Sequence, residues 1–265
     1  MRLVSFDPFR TLGLPGVRYI KPEHMHRHLD DLKAADWLLF PEYWQLNTLH
    51  YVLKKRIFPS LCSYHLGHDK IEMTRAFQAA CPDHLPDTDI LASTPANVRD
   101  VLARWPLPFV AKKPRSSMGL GVFLIETPQQ FHDYAASSDV LYVQKLLPIE
   151  RDLRVALVGD QVVSAYWREG SGFLNNVARG GVVRNDLPIP DSAIDFVRSL
   201  SGFLDINHAG FDIAMVDGKP MVLEFNRLFG NQGVAGLQQK ISAAMRDYLF
   251  ASTPPPSPLA SNLSA

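Results

Sequence analysis

Apolar and polar positions change their period along the chain. Over residues 1–68, short apolar runs at 2–6, 37–40 and 57–63 alternate with stretches of helical spacing at 23–33 and 46–55. Strand, helix, strand, helix, strand is the order of a small parallel sheet. Asp69 stands just before a helical pattern and is the predicted cap of a helix that runs to residue 80, where the prolines at 82 and 86 close it. Another helix is expected over 95–103, stopped by Trp105-Pro106. From residue 109 most apolar runs are strand-like, interrupted by helices at 128–136 and 192–203. The tail from Ser252, rich in proline and serine, offers little to a core and is expected to be disordered.

Alternation is clearest in H-A-G-F-D-I-A-M-V-D-G-K-P-M-V-L-E-F-N, residues 208–226, which reads as a hairpin turning at Asp217-Gly218-Lys219. With an odd number of residues in the loop, Asp212 lies opposite or diagonal to Glu224, on one face with Asn226, Ala214, Val216 and Val222. Phe211, Ile213, Met215, Met221, Leu223 and Phe225 then fill the other face. The plain reading is a half-buried hairpin with its polar side in water. The alternative is a metal site, because two carboxylates and an amide are the hard oxygen ligands Mg2+ takes when phosphates and water complete its shell.

Composition narrows the classes. The 265 residues carry 27 basic and 27 acidic side chains, so net charge gives no case for nucleic acid or an anionic membrane as partner. Cys62 and Cys81 are the only cysteines and lack metal-ligand spacing, which fits a reducing compartment and no disulfide framework. No apolar run approaches a membrane span and no signal-peptide core opens the chain, so a cytoplasmic location is expected. His24, His26 and His28 lack the i, i+4 spacing of helical ligand pairs and are read as a solvated helix face.

Three further segments carry chemistry. In F-V-A-K-K-P-R-S-S-M-G-L-G-V-F-L-I, residues 109–125, a strand ending at Lys112 enters a loop with Ser116, Ser117, Gly119 and Gly121 before a second strand leaves. Small residues let backbone amides approach phosphate oxygens. With no helix following, the segment is neither a P-loop nor a dinucleotide fingerprint, and taken alone a G-x-G between two strands is more often just a flexible hairpin turn. Residues 141–168 form a buried strand and then a hairpin turning at Gly159-Asp160, with Arg154 and Arg168 on its two strands. G-F-L-N-N-V-A-R-G-G, residues 172–181, sets Asn175, Asn176 and Arg179 in a glycine-bounded loop.

In this order the four segments resemble the ATP-grasp superfamily, and within it the RimK-like carboxylate-amine ligases that add glutamate to carboxyl groups; the resemblance covers roughly residues 69–240. It implies an α/β (α+β) fold in which a short N-terminal βαβ-type domain, 1–68, precedes two α+β subdomains, 69–146 with the lid loop and 147–250 with the metal site, that clasp ATP; 251–265 is tail. It implies ATP and Mg2+, or Mn2+ in its place, as cofactors. On that match Lys70 and Lys112 bind nucleotide, residues 116–121 close over it, and Gln144 and Lys145 lie at the adenine edge with Asp152 nearby. Asn175 lies on the nucleotide side, Asn176, Arg179, Arg154 and Arg168 face the phosphate and acyl group, and Asp212, Glu224 and Asn226 hold the metal.

The chemistry implied is an ADP-forming ligation of a carboxylate to an amine through an acyl phosphate, in a chain that is monomeric or homo-oligomeric, with no nucleic acid or membrane partner. An ATP-grasp phosphotransferase, or a nucleotide-binding module without turnover, is the alternative. Two departures stand out. Lys145 replaces the glutamate of relatives, and N-R-L-F-G-N-Q-G after the metal hairpin replaces their N-x-S-P-G.

Overall fold

A computed structural model of the chain describes residues 1–115, 121–170, 182–230, 234 and 236–253. At the N-terminus β1 (Leu3–Ser5), β2 (Val17–Tyr19), β3 (Trp37–Leu39) and β4 (Arg56–Phe58) form a parallel sheet of order β2-β1-β3-β4. Strands β1 and β3 are buried throughout, which is why they read as continuous apolar runs. The expected helix over 23–33 is a 3-10 turn, Pro22–His28, that continues as α1 (Leu29–Ala34). The helix expected over 46–55 is broken into a 3-10 turn, Tyr43–Gln45, and a π turn, Thr48–Val52. The strand expected over 57–63 stops at Phe58, because Ser60 accepts the amide of Ser63 and turns the following apolar residues into α2 (Leu61–Leu66).

Asp69 caps α3 (Lys70–Ala80) through the amide of Ile71, as the sequence predicts. The second sheet joins β5 (Thr88–Ala92), β6 (Phe109–Lys112), β7 (Val122–Ile125) and β8 (Val140–Lys145) in the antiparallel order β5-β8-β6-β7. Helices α4 (Pro95–Arg104) and α5 (Pro128–Ala136), capped by Thr94 and Thr127, cover one face, where Val98, Val101, Phe131 and Tyr134 pack on Phe109, Ala111, Leu141 and Val143. By alternation Val110, Lys112, Tyr142 and Gln144 share the other face.

The third sheet is antiparallel, of order β11-β10-β9-β12-β13, from β9 (Arg151–Val158), β10 (Gln161–Glu169), β11 (Val182–Arg184), β12 (His208–Val216) and β13 (Lys219–Asn226). On one face Leu153, Val155, Leu157, Phe211, Ile213 and Phe225 meet α3 and α6 (Asp191–Phe203). On the other, Ala156, Val158 and Val163 meet the N-terminal sheet and α7 (Leu237–Ala251). Helix α7 was not expected; its buried Leu237, Ile241, Ala244, Met245 and Leu249 keep a helical period. Asn207 fastens the parts together, accepting the Ser60 amide at 2.7 Å and donating to the Tyr248 hydroxyl at 3.0 Å.

His208, 2% exposed, lies among Phe40, Phe58 and Phe229, with Nδ1 2.6 Å from the Arg227 carbonyl. Burial pulls its pKa down to about 3, so the folded chain keeps the ring neutral where the unfolded chain protonates it. The unfolded state then binds the extra proton, and stability falls as pH drops from about 6.5 towards 3. Between pH 7 and pH 5 this one group is expected to cost about 2 kcal/mol. Urea unfolding at both pH values should show a smaller loss in His208→Gln than in wild type; equal losses would assign the acid sensitivity to other groups.

Candidate active site

The polar end of the third sheet is set by strand register. Arg154 pairs with Asp212 and with Tyr166, Asp152 with Arg168, and Asp212 with Glu224. Antiparallel partners point to the same face, so Asp152, Arg154, Arg168, Asp212, Glu224 and Asn226 share one face, ahead of the apolar stretch under α7. The hairpin expected to have an odd loop instead has a two-residue turn at Asp217 and Gly218, both with positive φ. A bulge at Leu223 supplies the missing residue, because Asp212 pairs with Glu224 but Ile213 with Val222. The carboxylates therefore still meet, while Val222, expected beside them, turns into the core with Ile213.

Two guanidinium groups converge on one oxygen of that face. Arg154 Nη1 lies 3.1 Å and Arg168 Nη2 2.8 Å from Asp212 Oδ1. The second contact is an ion pair off the hydrogen-bond axis, which leaves this buried oxygen without an aligned donor. Arg168 Nε also donates to Asp152 Oδ1 at 2.6 Å. Burial pushes Asp152 up to about 6, Asp212 adding to the shift and Arg168 opposing it. Burial likewise opposes the charge on Arg168, but Asp212 and Asp152 together hold its pKa above the usual arginine value. Arg154 Nη1 donates to the Gly210 carbonyl at 2.6 Å, and a Cβ at Gly210 would stand 2.8 Å from that nitrogen. Glycine is needed there for the guanidinium to fit.

Across from this face stand two lysines. Lys112, 6% exposed, ends β6 with its Nζ 5.6 Å from the centre of the Tyr142 ring. Burial lowers its pKa, and Glu224 and Asp212 oppose the shift, which places its charge within their field. Lys70 Nζ lies 3.5 Å from Glu224 Oε2, and the Lys70 amide donates to the Pro114 carbonyl at 3.1 Å. Asp69, the cap of α3, also pairs with Arg115 at 3.2 Å. The start of α3 thus fixes the stem of the loop that leaves β6, and a cavity of about 320 Å³ opens between this stem, His68 and the Glu224–Asn226 strand end.

Gln144 is 2% exposed and its amide donates to Thr88 Oγ1 at 2.9 Å. Tyr142, two residues earlier on the same face, bonds Thr74 Oγ1 at 2.7 Å, and its hydroxyl is pushed up to about 12 by burial. Lys145 points to the opposite side of β8, with Nζ 3.7 Å from Asp87. The structure therefore separates the two residues expected together at the adenine edge. Asp152, expected on the nucleotide side, is bound to Arg168, and Arg168, expected to reach the substrate, is buried behind Asp212. Gly121 closes the loop base by accepting the Lys113 amide at 2.7 Å. Ser116, Ser117, Gly119, Asn175, Asn176 and Arg179 lie outside the described residues, as do residues 231–233 of the run after the hairpin and the tail from 254. Thr74, Tyr142 and Gly210 are site residues that sequence reasoning passed over; the alternation of Tyr142 with Gln144 was the available signal.

Asp212, Glu224 and Asn226 suit a hard cation. The guanidinium contacts on Asp212 fall on Oδ1, at 3.1 and 2.8 Å, and the Asn226–Glu224 contact is long, at 3.4 Å. Among the described residues no cluster of three His, Cys, Asp or Glu side chains gathers, so the candidate set is two carboxylates and an amide.

The family model of the RimK-like ATP-grasp domain matches residues 78–249. A protein of an Enterobacter species named Probable alpha-L-glutamate ligase is 30% identical over 226 residues, covering 78% of this chain and 73% of that one. A Pseudomonas putida protein of the same name is 29% identical over 146 residues, covering 52% of this chain and 48% of its own length. Among solved structures, a RimK domain ATP-grasp protein from Sphaerobacter thermophilus superposes with a TM-score of 0.64 at 14% identity, covering 81% of both chains. The D-alanine–D-alanine ligase of Bacillus anthracis superposes with a TM-score of 0.68 at 15% identity, covering 96% of this chain and 97% of that one. At such identities the superpositions speak to the fold alone. With the family model spanning most of the chain, the protein belongs to the RimK-like ATP-grasp family of carboxylate-amine ligases, ADP-forming enzymes that make C–N bonds.

Proposed function

We propose that this chain uses ATP with Mg2+ to convert a carboxylate to an acyl phosphate and passes the acyl group to an amine, with glutamate as one of the two substrates. The observation that carries the reading is the polar sheet face: Asp212, Glu224 and Asn226 on adjacent strands, with Lys112 and Lys70 opposite. The glutamate assignment is supported by the name of the relatives alone.

Asp212, Glu224 and Asn226 would hold Mg2+, which when bound offsets the charge of the transferred phosphoryl group. Phosphoryl transfer otherwise needs positioning and electrostatics rather than a protein nucleophile. A substrate carboxylate oxygen attacks the γ-phosphorus, the bond to the bridging oxygen breaks and ADP leaves. The amine then attacks the acyl carbon, loses a proton, and phosphate departs as the C–N bond forms. Lys112 and Lys70 supply fixed positive charge to the phosphates. Arg168 and Arg154 position Asp212 by binding one of its oxygens. Arg179, Asn175, Asn176 and the loop over 116–121 keep the roles that the family pattern implies, over the phosphates and the acyl group.

Two substitutions at the carboxylates test this reading. Glu224→Gln is expected to lower ATP-dependent ADP release about 100-fold or more and to raise the Mg2+ concentration required, with little change in melting temperature. Asp212→Asn should lose activity and also about 3–5 kcal/mol of stability, since Arg168 would keep a buried charge with one partner fewer. A Glu224→Gln enzyme with the wild-type Mg2+ requirement would remove the metal assignment.

Lys112→Met is expected to weaken ATP binding about 10- to 100-fold, the scale of a charged hydrogen bond in a dry cleft. Lys113→Met should do much less, because its ammonium lies towards the Phe123 ring, 6.0 Å from its centre. Calorimetric titration with ATP distinguishes them, and equal losses would mean that Lys112 does not touch the phosphates.

A further inference from the structure

One rung of the second sheet is made by a side chain. Direct pairing of β6 with β8 runs from Phe109 opposite Lys145 to Ala111 opposite Val143. The next pair in that register is Lys112 and Tyr142, and here Tyr134 of α5 enters the ladder. Its hydroxyl donates to the Lys112 carbonyl at 2.7 Å and accepts the Tyr142 amide at 3.1 Å, with the Val140 carbonyl also in reach at 3.2 Å. Two bonds in series hold the carbonyl and the amide farther apart than the ~2.9 Å of a direct rung. Tyr134 is buried, and burial raises its pKa, so the hydroxyl keeps the proton that it donates.

The same two residues meet again on the opposite face of the sheet. Lys112 Nζ stands 5.6 Å from the centre of the Tyr142 ring, which attracts a cation over its face. That residue is clamped at both ends. Its amide is held by Tyr134, and its hydroxyl bonds Oγ1 of the buried Thr74 at 2.7 Å. Thr74 belongs to α3, the helix that begins at Lys70, whose ammonium lies 3.5 Å from Glu224. Helices from two sides of the sheet thus fix one aromatic residue, and the ammonium of Lys112 rests over its ring.

A buried carbonyl and amide that lose their bridge are left unpaired, and closing the gap to pair directly is the remedy nearest to hand. Closure would draw the end of β6 towards Tyr142 and carry Lys112 with it. Displacement of a positioning group by about 1 Å can cost about 100-fold in rate. We propose that Tyr134 and Thr74 are positioning residues for Lys112: through the amide and the hydroxyl of Tyr142 they set where its ammonium stands, and so how tightly ATP is held. The tie to ATP rests on the ligase reading of Lys112; the bridge between the strands does not.

The test is calorimetric titration of the full chain with Mg2+ and a non-hydrolysable ATP analogue. Tyr134→Phe and Thr74→Val are each expected to weaken binding about tenfold. Thr74→Ser, which restores the hydroxyl, should return the affinity. Phe131→Leu removes packing beside the Tyr134 ring, whose centre is 6.0 Å away, and touches no bond of the bridge. It should lower the melting temperature and leave the affinity as in wild type. A purely structural role would also leave the losses independent of Lys112. In a Lys112→Met background, therefore, neither Tyr134→Phe nor Thr74→Val should weaken binding further. Should Tyr134→Phe not fold, Thr74→Val with its serine rescue and the Lys112→Met background carries the test. Wild-type affinity in Tyr134→Phe or Thr74→Val, no rescue in Thr74→Ser, an equal loss in Phe131→Leu, or losses undiminished in Lys112→Met would overturn the proposal. The two readings fail differently. Lys112→Met binding as wild type would remove the use of that lysine from the ligase reading and the proposal with it. Loss of affinity in Lys112→Met, with none in Tyr134→Phe or Thr74→Val, would leave that reading standing and remove the proposal alone.

Discussion

Everything at the polar end of the large sheet depends on one carboxylate oxygen, Asp212 Oδ1, shared by two guanidinium groups. Arg154 and Arg168 reach it from different strands, and Arg168 is held in turn by Asp152. None of these charges could be buried alone, since an isolated ion in a protein interior costs several kcal/mol. Together they form a chain across three strands in which Asp212 is the common member. The arrangement fixes the aspartate rotamer through contacts to one of its oxygens.

The same sheet face is core at one end and site at the other. Ala156 and Val158 pack under α7 and the N-terminal sheet, while Arg154 and Asp152, on the same strand and the same face, lie in the cleft. Alternation makes this division cheap. No strand has to leave the sheet, and the bulge at Leu223 sets which residues of β13 face the cleft. Without the bulge Glu224 would fall opposite Phe211 and face the core while Phe225 turned to the cleft, so register, more than any single contact, brings the carboxylates together.

Local patterns were legible in the sequence and pairings were not. The cap at Asp69, the helices that begin at Pro95 and Pro128, the strands around Lys112 and the turn at Gly159-Asp160 follow from short-range chemistry, and all form as that chemistry requires. The break at Ser60 depended on one hydroxyl capping a helix inside an apolar run, which composition reads as strand. Helix α7 had the right period, but its partners are strands far away in sequence. At the site, residue types identified Asp212 and Glu224 as partners. What the types could not reveal is that Arg168 faces Asp212 and Asp152 rather than a substrate, because that depends on how deeply β10 is buried.

Charge balance gives the remaining constraint on the cleft. Arg154, Arg168, Lys70 and Lys112 face Asp152, Asp212 and Glu224, a formal excess of one positive charge in the described part of the site. Among the described residues both arginines are bound to Asp212 and Lys70 pairs with Glu224, so the positive charge that faces an anion on that side is already partly balanced. A triphosphate brings more negative charge than two lysines offset, and the low dielectric that strengthens each contact also raises the cost of any charge left over. On the proposed reading Asp212 and Glu224 would hold a divalent cation, whose charge would offset both deficits. On that reading the acidic strand ends and the lysines form a single electrostatic design, in which each half would need the other to face the phosphates.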